Sequence, residues 1–190
     1  MKRLMELADE PAHTRELSFT TYRSGDNHII TRCRLSDVRL REYYKLTGEN
    51  VPGGTLHDME VVLLIKTPSL VIEDVEVTML TVPRADCNDV TKSLDPLIGL
   101  SIAKGFTANV RNLCGGVKGC THLVTLLTAA GPAIFQGYIA LRYQKEAGEK
   151  SERFNKASAM LSYLKDTCYA WRSEGEACIK LEELVNKLKD

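Results

Sequence analysis

The feature that most constrains the fold is a change of hydrophobic period near residue 82. Before it the chain alternates: Leu17-Ser18-Phe19-Thr20-Thr21-Tyr22 and the segment Ile29 to Leu35 flank the turn-forming residues Ser24-Gly25-Asp26-Asn27. Alternation around a short polar turn is the pattern of a β-hairpin. Pro52-Gly53-Gly54 then precedes the β-branched run Met59 to Lys66, and Thr67-Pro68-Ser69 precedes Leu70 to Val82, where Ile72, Val75, Val77 and Met79 are the inward set. Such runs suit a pleated, half-buried surface. An antiparallel sheet of four to five strands over residues 15–82 is therefore expected.

Beyond residue 82 apolar side chains recur every three or four positions. Asp86 or Asn88 can cap a helix carrying Val90, Leu94, Leu97, Ile98 and Ile102 and ending near Lys104-Gly105, with Pro96 in its first turns or at a kink. A second helix follows Gly115-Gly116-Val117-Lys118-Gly119-Cys120, carries Leu123, Leu126, Leu127, Ala130, Ile134 and Tyr138 toward Tyr143, and is expected to kink at Gly131-Pro132. Residues 144–156 read as an exposed polar loop, Ala157 to Leu164 as a short helix, and the stretch with Ile179, Leu181, Leu184, Val185 and Leu188 as an amphipathic helix. Sheet first and helices after define an α+β fold, the sheet packed by the helices of the C-terminal half. A chain of 190 residues that is 44% hydrophobic can bury one full core. The expected organisation is a single α+β domain over 1–143 that carries the functional residues, with 144–190 a polar loop and helical tail packed on it.

Charge excludes several roles. Basic and acidic residues balance at 25 each, so no global field draws the chain to nucleic acid or to an anionic membrane. Small molecules, a metal or a protein partner fit better. The first residues turn acidic quickly and lack the apolar core of a signal peptide, and no apolar run looks long enough to span a bilayer. The expected location is cytoplasmic. There the six cysteines (Cys33, Cys87, Cys114, Cys120, Cys168 and Cys178) would stay reduced, available for reactivity or metal ligation rather than disulfides.

Among them, Cys120 and His122 stand out at the head of a helix, where free N–H groups and the dipole favour a thiolate. His57-Asp58 follows a Pro-Gly-Gly turn and opens a strand, and Cys87 lies between the last strand and the next helix. His57, Asp58, Cys87, Cys120 and His122 are the candidate metal ligands, a thiolate–imidazole set suited to zinc, iron or an iron–sulfur cluster. Each also has a plainer reading: Cys120 as a small packed residue, His122 as a solvent-facing ring, His57-Asp58 as an exposed turn pair. His13-Thr14-Arg15 with Tyr22-Arg23 could hold an anion or merely form a basic strand edge. Cys168 and Cys178 could be a redox pair or packing residues, and Cys33 and Cys114 read as structural. No GxGxxG, Walker loop, GxSxG or HExxH is present.

His13-Thr14-Arg15, Tyr22-Arg23 with Asp26, Leu35 and Asp37, Leu56-His57-Asp58-Met59, Cys87, Leu97 with Gly99-Leu100, and GGVKGCTHL at 115–123 together resemble an uncharacterised bacterial family, domain of unknown function 2889. That family's hairpin has an aspartate–glycine and a tryptophan where this chain has Asp26-Asn27 and Ile29. The resemblance brings no known activity. The order of elements is also similar to the metal and iron–sulfur scaffold proteins of the NifU and IscU type, which implies ligands at His57, Cys87 and Cys120, with Asp58 displaced by one position. Histidine in place of their first cysteine favours zinc or mononuclear iron. Three functions follow as expectations: a metal-binding protein, a metal-free thiol enzyme using Cys120 with a histidine base, and a small-ligand or protein-binding module.

Overall fold

A computed structural model describes residues 2–103, 105–144 and 148–189. After a one-turn helix, α1 (Lys2–Met5), the strands β1 (His13–Ser24) and β2 (His28–Arg39) form the expected hairpin, each longer than the sequence pattern indicated. A two-stranded ribbon, β3 (Tyr43–Tyr44) and β4 (Asn50–Val51), leads to β5 (Gly54–Lys66), and β6 (Val71–Thr81) completes the sheet. The main sheet is antiparallel with order β1-β2-β5-β6. Among the described residues it has four strands, and β3 and β4 pair with each other in a separate ribbon.

Strand alternation separates the two faces sharply. Ile29, Thr31, Cys33, Leu35 and Asp37 of β2 and His57, Met59, Val61, Leu63 and Ile65 of β5 are all buried on one face. The other face carries charge: Arg34 grips Asp58 through two hydrogen bonds of 2.8 and 2.6 Å, and Arg32 pairs with Glu60. On β6 the inward reading is met by Ile72, which is fully buried, while Val75, Val77 and Met79 are half-buried on an edge strand.

The segment after β6 differs from the single long helix expected. Residues Ala85–Leu97 form a 3-10 helix with neither Asp86 nor Asn88 as its cap; Arg84 holds that position. The chain then turns extended at Ile98 and left-handed at Gly99, and residues 99–102 hydrogen-bond along the start of β6. Left-handed backbone suits glycine and ends a helix. Lys104 lies outside the described residues, and Gly105, expected to close a helix, instead opens α2 (Phe106–Cys114).

Helix α3 (Thr121–Arg142) runs unbroken through Gly131-Pro132. Gly137 lies so close to Thr21 of β1 that a Cβ there would strike its hydroxyl, which brings α3 against the buried face of the sheet. The expectation that no apolar stretch approaches membrane-spanning length needs correction, because α3 is long and apolar enough by length and composition. Its Leu123, Leu126, Leu127, Ala130, Ile134 and Tyr138 are nonetheless buried in the fold, as the central helix of a protein core requires.

The chain divides into two compact units, residues 1–138 and 139–190. The second unit contains α4 (Lys150–Leu164) and α5 (Glu176–Lys189). Helix α4 begins at Lys150, so much of the polar stretch expected as a loop is helical, and residues 145–147 lie outside the described part. Polar sequence does not prevent a helix when Glu, Lys, Ser and Arg fill its solvent face. Within this unit Lys165 bonds Glu182 at 2.7 Å, and Cys178 is fully buried while Cys168 is exposed.

Candidate metal centre

Strand register builds the site. Across β1, β2 and β5, Arg15 stands opposite Asp37, and Asp37 opposite His57, so three side chains of one row share the buried face. Immediately beyond that pair the β2–β5 register shifts: Val38 meets Thr55, leaving Leu56 as an extra residue on β5. A bulge of this kind re-aims its neighbours, which is why bulges gather at functional sites.

Asp37 is the hub of this row. Only 1% of its surface is exposed, and Arg15 holds both carboxylate oxygens through Nε and Nη2 at 2.6 Å each. His57 Nδ1 lies 3.0 Å from Asp37 Oδ2, and His13 Nε2 lies 3.4 Å from Oδ1. The Arg15 hydrogen bonds outweigh the cost of burial and hold the Asp37 carboxyl down to about 2. A carboxylate buried this deeply persists because it is paired and hydrogen-bonded.

The N-terminus of α3 completes the cluster. Cys120 precedes the helix, its carbonyl accepts the Val124 N–H, and His122 in the first turn projects onto the row. Extended Gly119 has no room for a side chain: a Cβ there would lie 2.6 Å from the Cys114 carbonyl oxygen and 2.9 Å from Ser93 Oγ, so the loop reaches the helix only with glycine at this position. The His122 ring stacks on His57 with centroids 3.8 Å apart and planes tilted by 31°. Its Nε2 lies 3.8 Å from Asp37 Oδ2, and its Nδ1 lies 3.6 Å from the Cys120 sulfur. Burial, followed by the charges of His57 and Arg15, lowers the His122 pKa and favours the neutral ring that a metal requires.

One donor atom from each of Asp37, His57 and His122 lies within 4.8 Å of the others, a group able to hold a metal ion. Two of the five sequence candidates, His57 and His122, are in it. Cys120 adjoins it, bonded to the far nitrogen of His122 rather than facing the shared centre. Asp58 is on the opposite sheet face with Arg34, because adjacent strand residues point to opposite sides. Cys87 lies in the 3-10 segment after β6, with its N–H on the Arg84 carbonyl, outside the group. Asp37 is the donor that sequence reasoning missed as a ligand. The signal was strand parity, since Asp37 falls two residues after the inward Leu35.

A family model described as a protein of unknown function (DUF2889) matches residues 13–136. The chain belongs to that family. The match includes every residue of the row and of the helix start, from His13 to His122. No curated protein and no solved structure matches the chain, so the likeness to NifU and IscU scaffolds gains no support from them.

Proposed function

We propose that this family member binds one divalent metal ion, zinc or iron(II), through Asp37, His57 and His122. The observation that carries the reading is the meeting of their three donor atoms on a buried sheet face, within 4.8 Å. Bonds of roughly 2.0–2.2 Å leave the ligand atoms of a tetrahedral shell about 3.3–3.6 Å apart. Asp37 Oδ2 and His57 Nδ1 are 3.0 Å apart, and His122 Nε2 is 3.8 Å from the same oxygen. A movement of the two rings would complete a three-donor shell, the metal replacing the proton of the His57–Asp37 hydrogen bond. Two imidazoles and a carboxylate suit zinc or non-haem iron(II) and leave positions open to an external ligand. Cysteines are too far from being a majority of this set to favour an iron–sulfur cluster. Cys120 supports the site from behind: hydrogen bonding to Nδ1 of His122 leaves the Nε2 lone pair facing the centre.

The test is titration of metal-stripped protein with zinc or, anaerobically, iron(II), against a chromophoric chelator. One ion per chain is expected, with large losses of affinity in His57→Ala, His122→Ala and Asp37→Asn. A folded protein that takes up neither ion refutes the reading.

A second reading is favoured by the 3.6 Å contact between the Cys120 sulfur and His122, with Asp37 beyond the ring. It makes Cys120 a nucleophile, His122 its base and Asp37 the orienting acid, without metal. This reading predicts alkylation of Cys120 in metal-free protein far faster than of Cys87 or Cys168, with the rate collapsing in His122→Ala. Equal labelling of the three would remove it.

A further inference from the structure

Arg15 is out of keeping with a site built only to hold a cation. It binds both oxygens of Asp37 at 2.6 Å, so a metal taking Oδ2 must compete with the Arg15 Nη2 hydrogen bond and also bear the guanidinium charge beside it. The two partners are unequally anchored. Asp37 is buried in the second strand of the sheet, whereas Arg15 is on edge strand β1 with 37% of its side chain exposed. Arg15 can therefore withdraw into water while Asp37 stays in place. Arginine stays charged throughout the physiological range, so the competition is permanent rather than set by pH.

Resting on the metal-binding reading, we infer that Arg15 is a built-in competitor for the metal: it neutralises Asp37 when the site is free and yields Oδ2 when an ion binds. The site is thereby tuned below the affinity its donors allow, which suits an exchangeable ion rather than one held for the life of the protein. Arg15 is a positioning residue acting through Asp37, and His13, 3.4 Å from Oδ1, is placed to keep the other oxygen occupied during the exchange.

The experiment compares zinc affinity of metal-stripped wild type and Arg15→Gln by chelator competition at neutral pH, with folding checked by circular dichroism. Arg15→Gln is expected to bind about tenfold more tightly or better, the worth of one charge-assisted hydrogen bond. In an Asp37→Asn background the same change is expected to gain clearly less, because the competition for Oδ2 is gone and only the guanidinium's repulsion of the cation is relieved, a loss of the gain that a general structural role would not produce. Should Arg15→Gln not fold, Arg15→Lys carries the test, because an ammonium cannot hold both oxygens in a fork, and tighter binding is again expected. Equal or weaker binding by the folded variant overturns the inference alone. Absence of binding in wild type and variant overturns the metal reading and the inference together.

Discussion

Replacing Asp37 by Asn tests the electrostatic centre of the site apart from any metal. The substitution keeps the shape but removes the charge that Arg15 and His57 share. The Asp37 carboxyl falls from an ordinary 3.8 to about 2, chiefly through the Arg15 hydrogen bonds. A depressed acid stabilises the fold above its unfolded pKa, and that contribution is lost as the pH falls through the folded pKa. From these two values the contribution is about 2 kcal/mol at pH 7, roughly half of that at pH 3 and only a small fraction of it at pH 2. Because Arg15 is 37% exposed, solvent screening makes these upper values. Metal-free Asp37→Asn should thus be destabilised by about 2 kcal/mol at neutral pH, with the gap to wild type closing between pH 4 and pH 2. Urea-dependent hydrogen exchange at β2 and β5 amides reads the right region. A variant as stable as wild type at pH 7, or a gap unchanged at pH 2, would show that the Arg15–Asp37 pair contributes no net stability.

Three other outcomes are expected. The His122 ring should titrate by NMR below its ordinary 6.5, because burial and the neighbouring positive charges disfavour the proton; as pH falls below 6.5 the unfolded chain protonates first and stability drops until the folded midpoint is passed, so a midpoint above 6.5 contradicts the geometry. Gly119→Ala would place a Cβ 2.6 Å from the Cys114 carbonyl oxygen and 2.9 Å from Ser93 Oγ, so a loss of about 1–3 kcal/mol in urea unfolding and weaker metal uptake are expected. Asp58→Asn should cost less than about 1 kcal/mol, since its partner Arg34 is 44% exposed, and should leave metal affinity unchanged; a loss of affinity comparable to that in His57→Ala would return Asp58 to the site.

The contrast between Asp37 and Asp58 explains how far the sequence could be read. The sheet was legible because Ile29, Leu35, Val61, Leu63 and Ile65 alternate with polar neighbours, and α3 because its apolar residues repeat at helical spacing. The segment 85–105 was not, since Val90, Leu94, Leu97, Ile98 and Ile102 satisfy a helical template that a left-handed Gly99 interrupts, and backbone handedness leaves no periodic trace. His57 and His122 are legible from their positions at the ends of elements. Asp58 adjoins His57 in sequence, but within a strand adjacency guarantees separation onto opposite faces. Carried outward by twos from the apolar core, parity takes Met59 to His57 in β5 and Leu35 to Asp37 in β2, and excludes Asp58 without any structure. What parity cannot supply is register, which joins Arg15, Asp37 and His57 across three strands, and it is register that sets the competing cation against the carboxylate. The metal reading needs the β2–β5 register that sets Asp37 opposite His57, and the Arg15 inference needs in addition the β1–β2 register that sets Arg15 opposite Asp37. A one-residue slip of β1 would turn Arg15 to the open face, leaving the three donors intact but removing their competitor.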